Sequence, residues 1–328
     1  MIGNIWKTTF ALAATLALSA CGDGGGGGGV VSTPIAPAET YPDTANANVR
    51  TLTANETFSS VASKGIASYD VKLEEVTSGS VASATDFAIR YDASDNAYTI
   101  SSGGKTYTQA RSGLTVSTVN ANVLTGGNPD VRDLAGGSGL ILLNPDKFTL
   151  TYVDVGFWRE GTRSGDVLSS TLHSFAYGVE TPDSAVPRSG SASFLTLLVG
   201  AFVDDSNAYS LGGSATIAAN FQSGLINFSG GASAATTTGT RVAGIGNITG
   251  TGQISSSSNN FTGSLTAQGV SFLTGNQLQL SGIFTGRFFG PAAQEVGGSL
   301  QLFGSDNQGN VMGAIAGFAG TTGPSLTK

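Results

Sequence analysis

The stretch GGSATIAANF, residues 212–221, alternates small or apolar residues with polar ones at every second position. Ala215, Ile217 and Ala219 fall on one side of this pattern, and hydroxyl or amide side chains fall on the other. A period of two is typical of a β-strand with one buried face. The stretch therefore predicts a strand that faces a hydrophobic core on one side and water on the other.

Runs of this kind recur over the second half of the chain, each bounded by Gly, Asn, Asp or Ser. The predicted strands lie at about 190–199, 209–221, 224–230, 244–255, 261–269, 278–289, 295–303 and 309–319. Eight antiparallel strands can close into a barrel that its own side chains fill, and closure leaves no free strand edge. We therefore predict an all-β protein with an eight-stranded, antiparallel, soluble β-barrel at residues 186–322.

Charge separates this barrel from the segment before it. The chain has 328 residues and a formal net charge of −7, which argues against nucleic acid as a partner. Residues 45–185 contain 25 charged side chains, whereas residues 186–328 contain eight. Such a shift predicts a domain boundary near Pro187, with a first β-rich domain at residues 45–185.

Several stretches of the chain resemble the transferrin-binding protein B family of Gram-negative surface lipoproteins. Its barrel domain is similar to AVPRSGSASF (185–194), SGIFTGRFFGPAAQEVGGSLQL (281–302) and GAIAGFAG (313–320). The end of its handle domain is similar to YVDVGFW (152–158) and FAYGVETPDSAVP (175–187). The resemblance covers about residues 145–322 and implies one lobe, with a handle domain at 45–185 followed by the barrel. It also implies lipid anchoring on the outer membrane and binding of host proteins or iron-containing ligands, beside an outer-membrane receptor.

The N-terminus supports lipid anchoring independently. Residues 1–20 combine Lys7 with a short apolar run that ends in small residues, as a secretory signal peptide does. Leu18-Ser19-Ala20-Cys21 resembles a bacterial lipobox, which predicts that Cys21 becomes the first mature residue and carries palmitate or other acyl chains. An ordinary signal peptide followed by an unmodified thiol is the alternative.

A flexible tether is expected between the anchor and the first domain, at residues 21–44. Six consecutive glycines, 24–29, cannot bury apolar surface, and three prolines follow them. At roughly 5–6 Å times the square root of the residue number, such a segment reaches about 25 Å.

Binding residues are predicted in the charged first domain. The stretch FWREGTRSGDV (157–167) is expected to be an irregular loop that presents Trp158, Arg159 and Arg163 to a ligand. Aromatic and arginine side chains are enriched at binding hot spots. The alternative places Trp158 in the core, between the handle and the barrel.

No enzyme is predicted. His173 is the single histidine, so a nucleophilic triad has one candidate base, and a packing role on its strand fits as well. We expect no catalytic residue, no metal and no cofactor. A haem iron bound by His173, Tyr177 or Tyr152 stays as an alternative.

The predicted function is non-catalytic capture of a protein or small solute, in iron- or haem-related nutrient uptake, by a surface-exposed lipoprotein of the outer membrane. We expect a monomer that touches the membrane only through its anchor. A structural or protective coat lipoprotein without a ligand is the alternative function, and an eight-stranded transmembrane barrel is the alternative architecture.

Overall fold

The computed structural model describes residues 45–326 except 71–74, 118–119, 121, 128–136, 205–207, 237–238 and 324–325. The predicted signal peptide and tether lie outside the described residues. Ten strands form a first sheet: β1 Glu56–Asp70, β2 Glu75–Ser83, β3 Ala88–Asp92, β4 Ala97–Ser102, β5 Lys105–Ala110, β6 Thr115–Val116, β7 Val123–Gly127, β8 Gly137–Leu143, β9 Val153–Ser164 and β10 Val167–Gly178. Eight more follow: β11 Ser191–Val203, β12 Ala208–Asn220, β13 Leu225–Ala235, β14 Arg241–Ile254, β15 Asn260–Ser271, β16 Gln277–Phe289, β17 Glu295–Asp306 and β18 Val311–Thr321. Two one-turn 3-10 helices, Arg111–Gly113 and Asp183–Ala185, complete the described elements.

The second group of strands forms a closed antiparallel barrel, β11 to β18, in which β18 pairs back with β11. Ala215, Ile217 and Ala219 point inward and are buried, while Ser214 and Thr216 are exposed. The interior is filled by phenylalanine rings, among them Phe194, Phe228, Phe261, Phe284, Phe288 and Phe318. The predicted all-β fold and eight-stranded barrel are therefore confirmed.

The first group forms one sheet, which we call the handle sheet, in the order β5-β4-β3-β1-β10-β9-β8-β7-β6, with β2 paired to β1. β3 and β4 form a hairpin, and Asn96 has the positive φ of 49° that its turn needs. The face of the sheet that points away from the barrel carries an aromatic core around Phe58, Phe87 and Phe175. Both faces of its central strands are therefore covered.

The barrel packs on the other face of the handle sheet through β17 and β18. Two glycines allow this close approach. A Cβ atom at Gly317 would lie 2.6 Å from the carbonyl oxygen of Phe175 and 2.6 Å from Val155 Cγ2, and one at Gly297 would lie 2.6 Å from Val153 Cγ2. Because real Cβ atoms do not approach so closely, a side chain at either position would push the barrel away from the sheet.

A buried carboxylate links the two regions as well. Glu295 at the start of β17 accepts hydrogen bonds from the backbone N–H groups of Thr151, Tyr152 and Val153, at 2.6, 2.7 and 2.9 Å. These bonds hold the backbone just before β9, which begins at Val153. A second bond joins the regions elsewhere, since Arg287 on β16 donates to Glu180, just after β10, at 2.6 Å.

Among the described residues, no helix is long and apolar enough to cross a membrane.

Candidate functional site

Two of the three predicted binding residues lie inside the molecule. Trp158 and Arg159 are both 0% exposed, Trp158 on the aromatic face of the handle sheet and Arg159 on the face toward the barrel. The prediction of an irregular loop over 157–167 is wrong, since β9 runs to Ser164 and β10 starts at Val167. The binding role of Trp158 and Arg159 stays a prediction, and without movement of the strands no partner touches either side chain.

Arg163 is the exposed member of the three. It lies near the end of β9, one residue before the turn to β10, and its Nε donates to the carbonyl of Gly165 at 3.0 Å. Four other charged side chains lie closer to the middle of the sheet, level with Trp158 and Glu160, and we call them the charged rim: Lys64, Asp86, Lys105 and Glu160.

The charged rim is held together by strand pairing and side-chain bonds. Lys105 on β5 contacts Glu160 on β9, with 2.7 Å between Nζ and Oε1. Asp86, in the turn before β3, accepts hydrogen bonds from the backbone N–H of Gly103 and from Ser102 Oγ. These bonds lower the pKa of Asp86, and Lys64 lowers it further. The rim therefore presents fixed charges of both signs at physiological pH.

Beneath the charged rim lies His173, stacked on Trp158 with ring centroids 4.7 Å apart. Its Nε2 is 3.1 Å from Ser102 Oγ. Because the Ser102 hydroxyl donates to Asp86, it accepts from the histidine, which assigns the proton to Nε2. Burial lowers the pKa of His173 to about 4, and the nearby Lys64 ammonium adds to this shift, so the ring is neutral at pH 7.

This Asp-Ser-His order differs from that of a nucleophilic triad. In a triad the histidine stands between the serine and the carboxylate and takes the serine proton. Here Ser102 stands in the middle and directs its proton to Asp86, so the histidine receives none. The arrangement supports packing and electrostatic roles for His173.

The residues considered as haem ligands do not lie close to one another. His173 and Tyr177 are four residues apart on β10, which is about 13 Å along a strand. Tyr177 is buried and lies 3.4 Å from Asp154, and Tyr152 precedes β9. The structure therefore does not bring His173 and Tyr177 within reach of one iron. Among the described residues, no group of three or more His, Cys, Asp or Glu side chains could hold a metal ion.

A second polar group lies at the opposite end of the handle sheet, around Asp154. Its carboxylate is 3.9 Å from Arg50, and burial raises its pKa to about 6 against the lowering effect of that arginine. A cavity of about 30 Å³ lies beside it, lined by Arg50, Tyr98 and Arg111 among others. This volume holds one or two water molecules, which is too small for a nutrient solute.

Sequence reasoning overlooked the charged rim because its members come from four separate strands and turns. A weaker signal was available for Asp154, since a single acid inside the apolar run YVDVGFW indicates a buried carboxylate. Glu295 likewise stands between glutamine and an apolar run. No local pattern in the sequence shows that Lys105 meets Glu160.

No protein-family profile matches this chain, and no curated protein matches it. Solved structures do. The chain is similar to the lobes of transferrin-binding protein B. Isotype 1 from serogroup B Neisseria meningitidis matches over 79% of this chain and 43% of that chain, at 14% identity and a TM-score of 0.41. A mutant from Haemophilus parasuis Hp5 matches over 81% and 76%, at 13% identity and a TM-score of 0.39.

The N-lobe of lactoferrin-binding protein B from Moraxella bovis is also similar to this chain. It matches over 80% of this chain and 99% of that chain, at 12% identity and a TM-score of 0.34. Likeness at such identities concerns the fold alone and carries no information about ligands.

Proposed function

We propose that this chain is a surface-exposed, lipid-anchored binding protein of the outer membrane, which captures a protein without catalysing a reaction on it. The observation that carries this proposal is the charged rim. There Lys64, Asp86, Lys105 and Glu160 stand together on the aromatic side of the handle sheet. Complementary charge steers association and sets specificity at protein interfaces.

The barrel offers little charge that could compete with the charged rim. Arg287 and Glu295 bond the handle sheet, and Asp306 bonds Asn276 and Asn310 at its own end of the barrel. The outward positions of β14 to β16 are mostly uncharged, with exposed Thr249, Thr251, Thr262, Ser264, Thr266, Gln268 and Gln279. A hydroxyl- and amide-rich face favours contact with water over contact with lipid tails, which argues against the transmembrane alternative.

A protein fits as the ligand better than a small solute does. The charged rim is an open edge, whereas the described cavity beside Asp154 has space for water alone. Trp158 and Arg159 then act beneath the surface, where Trp158 supports His173 by stacking. Arg163 and Lys105 are the side chains that we expect to contact the partner. Delivery of iron or haem remains one use of such capture.

Membrane attachment is assigned to Cys21 and tested by fractionation. Cys21→Ser removes the thiol that accepts lipid, so the protein should leave the membrane fraction or accumulate as precursor. Ser19→Ala keeps a small residue in the lipobox and serves as the matched control. If Cys21→Ser still sediments with outer membranes after a carbonate wash, the anchoring proposal is wrong.

Capture is tested by affinity purification from outer-membrane and host-fluid extracts with the wild type and with Lys105→Ala/Arg163→Ala. We expect a discrete partner that the double variant retains at least about tenfold more weakly, which corresponds to about 1.4 kcal/mol. The control is Arg241→Ala/Arg188→Ala, which removes two exposed charges of the C-terminal half. Recovery of no partner by the wild type would favour the coat lipoprotein instead.

A further inference from the structure

Strand β2 has one paired side and one side without a strand. It pairs antiparallel with β1, from Ser63 opposite Ser83 to Asp70 opposite Glu75. Among the described residues, no strand pairs with its other side. Natural sheets protect such edges with lysine, proline or a bulge toward solvent, because a free edge is a template for another strand. β2 has a bulge at Thr77, but from Ser78 to Ser83, where its pairing with β1 is regular, it contains no charged residue and no proline.

The register identifies the backbone groups on the free side. Ala84 N–H donates to the carbonyl of Ala62, which makes these two a hydrogen-bonded pair. Hydrogen-bonded and non-hydrogen-bonded pairs alternate along an antiparallel ladder. The N–H and C=O groups of Val81 and Ser83, which belong to non-hydrogen-bonded pairs, therefore point away from β1. Val81 and Ser83 each offer one N–H donor and one C=O acceptor to an added strand, and they are two residues apart, as the outward groups along a strand edge are.

Exposed apolar side chains lie on the barrel next to this edge. A Cβ atom at Gly313 would lie 3.2 Å from Val81 Cγ1 and 3.7 Å from Phe303 Cδ2, so Val81 of β2 and Phe303 of β17 border the same glycine. Phe303 is 40% exposed, and Val311 and Ile283 on the neighbouring strands are 45% and 39% exposed. These three residues form what we call the apolar flank.

We propose that the edge of β2 and the apolar flank together bind an extended segment of another protein as an added β-strand. Outward backbone groups of Val81 and Ser83 would give main-chain hydrogen bonds. The apolar flank would receive every second side chain of the segment, so the partner alternates apolar and small polar residues. This inference rests on the proposed capture of a protein and names the form that the bound segment takes.

Two other occupants fit less well. A second copy paired through β2 around a two-fold axis would place its barrel on the same side of the sheet. Because β17 and β18 already pack against β2 on that side, the two barrels would have to lie side by side along the joined sheet. The chain's own residues 21–44 have seven glycines among their first nine residues and three prolines after them, and prolines lack the N–H that a ladder needs.

The probe is a pool of ten-residue peptides with Val, Ile, Leu or Phe at odd positions and Thr or Ser at even positions. A second pool with proline at two even positions is the control. Amide exchange of the full-length protein is followed by NMR. We expect the alternating pool to slow exchange of the Val81 and Ser83 amides about tenfold or more, and to leave the already bonded Ala82 amide unchanged.

Two substitutions connect the edge to the apolar flank. Phe303→Lys should weaken peptide binding about fivefold or more, whereas Leu195→Lys on β11, at a matched exposure of 39%, should leave it within about twofold. Equal effects of the two substitutions, or unchanged exchange of Val81 and Ser83 at about millimolar peptide, would overturn the proposal. Protection of these amides in a concentration-dependent dimer without peptide would overturn it in favour of a second copy. None of these results bears on the proposed capture of a protein, which the binding test with Lys105→Ala/Arg163→Ala decides separately.

Discussion

The handle sheet and the barrel bury different kinds of side chain. The barrel interior is almost entirely apolar, with phenylalanine rings whose centroids lie 5.3 to 6.4 Å apart. The handle sheet buries Asp154, Arg159 and His173 as well, at 6%, 0% and 1% exposure. Buried polar groups reduce stability unless they are bonded, so a region that retains them usually has a second requirement beyond folding.

This difference suggests separate roles for the two regions. The barrel supplies a rigid body whose strands have no free edge, and it holds the handle sheet from behind through Glu295, Gly297 and Gly317. The handle sheet carries the charged rim and the free edge of β2. Substitutions that separate the regions should therefore affect stability, and those at the charged rim should affect binding.

The largest expected effect is at the glycine contact. Gly317→Val places side-chain atoms against the Phe175 carbonyl and Val155, and should lower the free energy of unfolding by about 3 kcal/mol. Gly246→Val is the matched control, because Gly246 lies on a barrel strand with open space where its Cβ would be. Urea unfolding of both variants measures the difference, and equal losses would show that Gly317 is not a close contact.

Next in size is the carboxylate that joins the regions. Glu295→Gln keeps the shape but offers a single oxygen to three backbone N–H groups, so unfolding should become easier by about 2 kcal/mol. Glu180→Gln alters the more exposed bond to Arg287 and should cost less than about 1 kcal/mol. A smaller loss for Glu295→Gln than for Glu180→Gln would contradict the assigned role.

Asp154 should make the handle sheet sensitive to pH. Its pKa is raised in the fold from 3.8 to about 6, so folding favours the protonated form and stability falls as pH rises through this window. Asp154→Asn removes the titration, so wild type should lose about 2 kcal/mol relative to the variant between pH 4 and pH 7. Urea unfolding at both pH values checks this. A constant difference between the two proteins would contradict the raised pKa.

The smallest stability effect is expected at the charged rim. Lys105 and Glu160 form an ion pair in which the lysine side chain is 57% exposed, so Lys105→Ala should change the free energy of unfolding by about 0.5 kcal/mol or less. Its melting temperature should equal that of wild type within error. A loss as large as that of Glu295→Gln would mean that the rim serves stability and not binding.

Barrel and handle sheet also differ in how much the sequence reveals. Most barrel strands, such as β11, β12 and β15, alternate between buried and exposed residues, so their positions can be predicted from the chain alone. Strand β9 is buried on both faces over its first seven residues, and its burial therefore has no period of two. Only its second half, from Phe157 onward, was interpreted as an irregular loop. The strands that cover the two faces of β9 come from distant parts of the chain, and no local sequence pattern predicts these contacts.

One measurement tests most directly whether recognition belongs to the handle sheet. A photoreactive phenylalanine analogue is placed at Lys105 on the charged rim and, separately, at the exposed Thr249 on the barrel. Cells are irradiated in the presence of host fluid, and cross-linked species are separated by mass. We expect a discrete cross-linked partner from position 105 and none from position 249. Cross-linking to a partner from position 249 alone would contradict this expectation.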